Sequence, residues 1–397
     1  MRINSFISAV IAVSLLAGCG TVDKMGGWVG GWFGGSAPKQ KPAELVEFKP
    51  SVNLSRAWEV SVGSGAPFSF VPASDGQAVY AAGKDGRLVK VDLASGRELA
   101  RIEIGRPISA GVGVGDGLVL VGTLKGELLA FHSKDLKPAW STTLTGEILT
   151  APVVGFGVVG ARSNNGTIYL LDSADGKLRW AQGRSLPALT LREAGSLAMD
   201  RRALYAGHPG GKLSALSLVN GAPLWEVSVA LPRGATELER IADITGSLAL
   251  DARMVCAAAF QGRLGCFDLR EGQSLWGRDL SSLSGVEMDA RQLYVTDDRA
   301  AVYAFDKERG ANLWKQDKLR DRRTSTPLPL ERWVAVGDYQ GYVHLLNRED
   351  GAFAGRVATD GSAIRGPMLA LDRGFIVQTA NGGLYAFRIQ ESGIRNQ

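Results

Sequence analysis

The sequence predicts an all-β fold: an eight-bladed β-propeller of four-stranded blades, its ring closed by the N-terminal strand. Three observations predict it. A unit of about 40 residues recurs eight times. Each copy carries turn and strand residues in the same order. A spare tryptophan, Trp58 in SRAWEVSV, lies just upstream of the first complete copy, whereas the last copy has none of its own. Repetition at this period, with four strands per unit, is the signature of a propeller rather than of separate domains.

The first element of each copy is a turn glycine. These are Gly86, Gly126, Gly166, Gly211, Gly262, Gly341 and Gly382, with Ala300 in the remaining copy; the intervals are 40, 40, 45, 51, 38, 41 and 41 residues. Short apolar stretches precede it, such as VYAAG, LVLVG and LYVTD, and similar stretches follow it, such as RLVKVD, TIYLLD and AVYAFD. Runs of this length and composition, bounded by Gly or Asp, read as strands. Glycine joins each pair as a hairpin because it accepts positive φ without a steric penalty.

Six residues after the anchor come Asp92, His132, Asp172, Ser217, Asp268, Asp306, Asn347 and Arg388. Gly96, Gly176, Gly221, Gly272, Gly310 and Gly351 follow four residues later. Asp-x-x-x-Gly is a second turn, in which the Asp side chain accepts from backbone N–H groups just ahead of it. Tryptophan comes next, at Trp140, Trp180, Trp225, Trp276 and Trp314, on a strand where its large surface packs. Ala100 and Gly355 depart from that pattern. A further apolar stretch before each hairpin, for example ILTAPVVG or SLALDAR, supplies the fourth strand. The eighth copy would need its tryptophan near position 396, so Trp58 in SRAWEVSV is expected to complete the last blade. Closure of that kind removes the open sheet edges that a linear array would expose.

The expected organisation is residues 1–18 as a signal peptide, 19–50 as a lipidated cysteine and flexible tether, and 51–391 as the propeller. Arg2 and the apolar core FISAVIAVSLLA form a targeting segment too short to span a bilayer permanently. Leu16-Ala17-Gly18-Cys19 resembles a bacterial lipobox, which implies cleavage before Cys19 and acylation of that residue. Gly20 rather than Asp after the cysteine implies the outer membrane, with the ring at its periplasmic face. The following GGWVGGWFGGSAPKQKPAE has no strand or helix period. Trp28, Trp32 and Phe33 in it suit either the lipid headgroup layer or packing on the ring.

Composition excludes some functions. The 51 glycines accompany 45% hydrophobic residues, which fits a turn-dense β protein and not a disordered one. The net charge of +5 is spread over both signs, and no basic block suggests nucleic-acid binding. The densest basic stretch, KQDKLRDRR at 315–323, reads as a solvated loop between blades. Cys256 and Cys266 flank the turn at Gly262 on neighbouring strands; their spacing suits a disulfide in an oxidising compartment or two thiols. His132, His208 and His344 fall at different places in their repeats, so no metal site is expected. Asp92, Asp172, Asp268 and Asp306 are better explained by turns than by acid–base chemistry. No catalytic residues and no cofactor are expected.

Two resemblances bear on function. The unit A-x-D-x-x-x-G-x-x-x-W, seen in LLDSADGKLRW and CFDLREGQSLW, is similar to the blade motif of quinoprotein dehydrogenases, which bind pyrroloquinoline quinone. Those enzymes carry adjacent cysteines over the cofactor and a calcium site of Glu, Asn and Asp; this chain has no adjacent cysteines. Quinone binding is the alternative reading.

The lipobox, the Gly-rich tether and eight blades of this type together resemble the BamB family, lipoprotein subunits of the outer-membrane β-barrel assembly (BAM) machine. SLPALTLRE at 185–193, ATELERIADI at 235–244 and VGDYQGYVHLLNREDG at 336–351 support the resemblance. It implies a non-enzymatic scaffold that docks on the periplasmic POTRA domains of BamA. The rest of the BAM complex, and unfolded outer-membrane proteins, would be its further partners. It also implies contact through Leu189, Leu191 and Arg192 on one long loop and Asp243 on the next. A second acidic position of the family pattern is Thr245 here. Independently, the two longest repeat intervals bracket insertions at about 182–195 and 228–247. Insertions in a repeat array form loops on one face, often the binding face.

Overall fold

The computed structural model describes residues 41–192 and 195–391. The expected signal peptide, Cys19, Trp28, Trp32, Phe33 and the expected tether up to residue 40 lie outside the described residues. The strands form eight four-stranded antiparallel sheets. Blades 1 to 7 span residues 73–103, 110–143, 153–182, 197–228, 249–279, 286–316 and 328–358, each with its strands paired in sequence order. Blade 8 takes three strands from 369–391 and its outermost strand from the N-terminus, Val52–Ser61. That strand pairs from Val52 opposite Glu391 to Ser61 opposite Gly383. The ring therefore closes as the displaced tryptophan predicted.

Burial explains the composition of each strand. A second strand such as Ala78–Ala82 or Met254–Ala258 is buried at every position, because neighbouring blades cover both its faces. It therefore needs a continuous apolar run rather than alternation. An outermost strand such as Leu178–Gln182 buries only its tryptophan. The core is thus a series of apolar layers between successive blades, as in the cluster joining Tyr205, Trp225 and Val229 of blade 4 and its exit to Val255 and Phe267 of blade 5.

The tryptophan and glycine of the repeat are partners across blades. The indole N–H groups of Trp58, Trp140, Trp180, Trp225, Trp276 and Trp314 donate to carbonyls of Leu93, Ser173, Leu218, Leu269, Lys307 and Arg348 in the next blade's turn, at 2.7–3.4 Å. A Cβ added at the glycine of that turn would crowd the indole in all six cases. Glycine is needed there for positive φ and also to leave room for its neighbour's ring. The departures are matched. Where blade 1 has Ala100 in place of tryptophan, blade 2 has Leu136 in place of glycine, buried and in the left-handed region at φ 58°. Gly355, the other departure, faces Val52 and Leu54 of the closing strand.

The hairpin turn also tolerates replacement. Ala300 takes φ 66°, and in the copy anchored at Gly262 the positive φ falls on Gln261 instead. The Asp turns form as expected: Asp268 accepts from the N–H groups of Arg270 and Glu271, both at 2.9 Å.

Cys256 and Cys266 stand directly opposite on the two middle strands of blade 5 and are joined in a disulfide, with both residues fully buried. Two other sequence expectations are corrected. The stretch 315–323 is not wholly solvated: Arg322 is buried and ion-paired with Asp338 at 2.7 Å. Residues 42–50, assigned to the tether, group with the ring and pack along blade 7. Isolated loop residues carry too little local pattern to reveal partners supplied by distant blades.

The alternating strand direction sorts the loops. The connections between blades and the turns between second and third strands lie on one face of the ring. The turns between first and second, and between third and fourth strands, lie on the other.

Candidate docking face

The two longest inter-blade connections lie on the same face, between blades 3 and 4 and between blades 4 and 5. The first, from residue 183 onward, has no regular structure up to residue 192. It exposes Leu189 at 44% and leaves Leu191 half-buried and Arg192 exposed. Arg192 Nη2 lies 3.4 Å from Glu147 Oε2 on the connection entering blade 3. An exposed pair of this kind is worth ~0–1 kcal/mol, so the guanidinium is available to exchange partners.

Asp243 lies beneath this loop and is only 2% exposed. One carboxylate oxygen accepts the Leu191 N–H at 2.7 Å, and the other accepts the Gly210 N–H at 3.0 Å. It therefore ties the second long connection to the first and to blade 4. Its carboxylate is occupied inside the molecule and does not pair with Arg192. The family resemblance implies partner contact through Asp243; here its carboxylate faces inward, toward the N–H groups of Leu191 and Gly210. Thr245 is buried too, and its hydroxyl donates to the Leu283 carbonyl at 3.1 Å.

Sequence reasoning missed Arg162. It closes the strand Val158–Arg162, where the other four residues are uncharged and small or apolar, and that was its only signal. Its side chain is 2% exposed and donates through Nη1 to the carbonyls of Gly195 and Gly207. Burial, and next the like charge of Arg184, push its pKa down to about 10, with Asp243 opposing. Arg162 and Asp243 thus hold the two sides of the loop. Together with Leu191 and Arg192 they line a cavity of about 20 Å³, room for a water but not for an organic cofactor.

The second connection builds its own support. Glu239 accepts from the N–H groups of Ala235 and Thr236 at 2.8 and 3.0 Å, and the Thr236 hydroxyl accepts the Glu239 N–H at 3.3 Å. This reciprocal capping box orders one helical turn. The loop presents Leu231 at 60% and Leu238 at 66% exposure. Leu124, on a turn of blade 2, and Leu283, on the connection between blades 5 and 6, are exposed on the same face. Exposed leucines gathered on one face, on loops tied from below, suit contact with another protein.

The histidines are not gathered. His132 is exposed on blade 2. His208 is buried in blade 4 against the Ser214 hydroxyl at 2.7 Å, and burial pushes its pKa down to about 2. His344 is buried in blade 7 beside Asp338. Among the described residues no group of three or more His, Cys, Asp or Glu side chains is placed to hold a metal.

Comparison with known proteins agrees with this architecture. A family model described as "Outer membrane protein assembly factor BamB" matches residues 84–316. The protein of that name from Burkholderia pseudomallei is 41% identical over 351 residues, covering 88% of this chain and 92% of its own. The one from Bordetella pertussis is 39% identical over 357 residues, covering 90% and 92%. The crystal structure of BamB from Moraxella catarrhalis superposes with a TM-score of 0.77 at 25% identity, covering 85% of this chain and 100% of that one. A quinohemoprotein alcohol dehydrogenase from Comamonas testosteroni aligns with a TM-score of 0.67 at 13% identity, covering 84% of this chain and 76% of its own, a likeness of fold alone. With a family match over more than half its length, and relatives this similar over about nine-tenths of it, the chain belongs to the family of outer membrane protein assembly factor BamB.

Proposed function

We propose that this chain is a non-enzymatic scaffold of the outer-membrane β-barrel assembly machinery, docking on the periplasmic POTRA domains of BamA. In this reading it is anchored through acylated Cys19 at the periplasmic face of the outer membrane. Leu189, Leu191 and Arg192 supply the contact, with Leu231 and Leu238 beside them, and Asp243 holds the loop. The observation that carries the reading is the pairing of an exposed Leu189 and Arg192 with a backbone fixed from beneath by Asp243 and Arg162. A pre-ordered loop loses little entropy on binding, so apolar anchors, and a guanidinium held only by an exposed ion pair with Glu147, contribute most of their gross interaction.

The ring would act by orienting the POTRA domains for insertion of nascent barrels. Extraction of membranes from cells carrying the affinity-tagged chain tests this. BamA should co-purify in stoichiometric amount; its absence from a folded, membrane-bound sample would sink the reading. Incubating the chain with pyrroloquinoline quinone and calcium should give no saturable absorbance change, and saturable binding would replace the scaffold with the quinone-binding alternative.

A further inference from the structure

The N-terminal segment just before the first strand is held on the ring by groups that the repeat does not explain. Ala43 is held through both its backbone groups: its N–H donates to the Arg320 carbonyl at 3.0 Å, and its carbonyl accepts from Arg322 Nη1 at 2.9 Å. Three residues on, the Val46 carbonyl accepts from Arg356 Nη1 at 3.1 Å. The Phe48 ring stacks on Phe353 at 5.4 Å, and the Arg356 guanidinium lies over both rings, at 5.0 and 5.6 Å.

Both arginines are themselves fixed. Arg322 donates through Nε to Asp338 at 2.8 Å and through Nη2 to Gln340 at 2.6 Å. Asp338 is fully buried and also faces His344 Nε2 at 3.0 Å, while His344 Nδ1 accepts from Arg356 Nε at 3.1 Å. A neutral imidazole satisfies this arrangement, donating from Nε2 and accepting at Nδ1. Burial lowers the His344 pKa, which favours that form. One continuous network, from the connection before blade 7 into that blade, therefore ends in two guanidinium groups that face the segment. The backbone alone of blade 7 would not require it.

We propose that residues 42–48 form a strap, clamped by Arg322 and Arg356, that fixes where the N-terminal chain joins the ring. The joining point lies beside Arg320, on the connection between blades 6 and 7. All inter-blade connections share one face, so it is the same face that carries the loops from residue 183 and from residue 229. The clamp stands on its own contacts. Its consequence, a shorter effective tether between the ring and acylated Cys19 and so a higher effective concentration of the docking face at the membrane, rests on the docking reading above.

Two arms separate these statements. Both lysines of the segment precede proline, Lys41-Pro42 and Lys49-Pro50, so trypsin is a poor probe, whereas Glu44 and Glu47 offer exposed sites for a glutamate-specific protease. In the full chain, cleavage after Glu44 and Glu47 should be at least tenfold slower than in a Phe48→Ala/Ala43→Pro double variant. The ring should stay folded, and loss of the Phe48–Phe353 stack should lower its melting temperature by only a few degrees. Equal cleavage rates would overturn the strap. The second arm compares BamA recovery. The lipidated double variant should recover at least twofold less than the lipidated parent, while the same pair carrying Cys19→Ser should recover equal amounts. Equal recovery in the lipidated pair overturns the tether-shortening role. If no form recovers BamA, the docking reading fails and that role fails with it, while the protease arm still decides the strap.

Discussion

The Trp225 indole of blade 4 packs against Gly272 of blade 5, and its N–H donates to the Leu269 carbonyl at 3.2 Å. A Cβ at Gly272 would come within 2.8 Å of Trp225 Cδ2, at a backbone φ of 72°. Gly272→Ala therefore meets a left-handed backbone and an overpacked ring together. The expected loss is about 2–5 kcal/mol, from roughly 1–2 for the backbone and 1–3 for overpacking. Trp225→Ala should cost about 3–5 kcal/mol. Urea unfolding of each variant measures both, and an unchanged midpoint for Gly272→Ala would refute the inter-blade clasp.

The matched departure at Ala100 and Leu136 gives a second test. Ala100→Trp alone should destabilise, because Leu136 occupies the space the indole needs. Leu136→Gly alone should destabilise by opening a cavity. The double variant recreates the pairing of the other blades, so the two changes should be favourably coupled by at least about 1 kcal/mol in a double-mutant cycle. Simple additivity would show that the two positions are independent.

The repeat was legible because its Gly, Asp and Trp act within a few residues of their own strands and keep fixed spacing. What those residues touch was less legible. The glycine was read for its turn alone, since the tryptophan it accommodates belongs to the preceding blade. The strap left no local signal: its carbonyls at Ala43 and Val46 meet arginines 279 and 310 residues away. At the docking face, loop length and leucines were visible in the sequence. The burial of Asp243 was not, because it depends on one loop closing over another across 52 residues.

Glu287 on the first strand of blade 6 gives a pH-dependent prediction. The residue keeps some exposed surface, but protein packs around its carboxyl, and burial pushes its pKa up to about 7, against the backbone hydrogen bond at Met288. Between the ordinary carboxyl range and pH 7 the folded chain keeps this proton while the unfolded chain has lost it. The contribution of Glu287 is therefore fully present below about pH 4.5, falls as pH rises, and levels off above pH 7 at a cost of up to about 3 kcal/mol. Glu287→Gln should remove that decline and raise stability at pH 8. Parallel stability–pH curves for the two proteins would contradict the assignment.

The Cys256–Cys266 disulfide closes a short hairpin. In the chain-entropy description it contributes about 2–3 kcal/mol, and the double variant Cys256→Ala/Cys266→Ala should lose about that much. Denatured protein should show two more reactive thiols after reduction than before. Equal counts would show that the bond is absent in the isolated protein.

The most direct test of the account is the affinity of the chain for the BamA POTRA domains when Leu189 and Arg192 are both replaced by alanine. Both side chains are exposed, so the melting temperature should not move. The account predicts binding at least about tenfold weaker, the loss of roughly 1.4 kcal/mol expected from removing an apolar anchor and a charged contact. Undiminished binding by the folded double variant would contradict it.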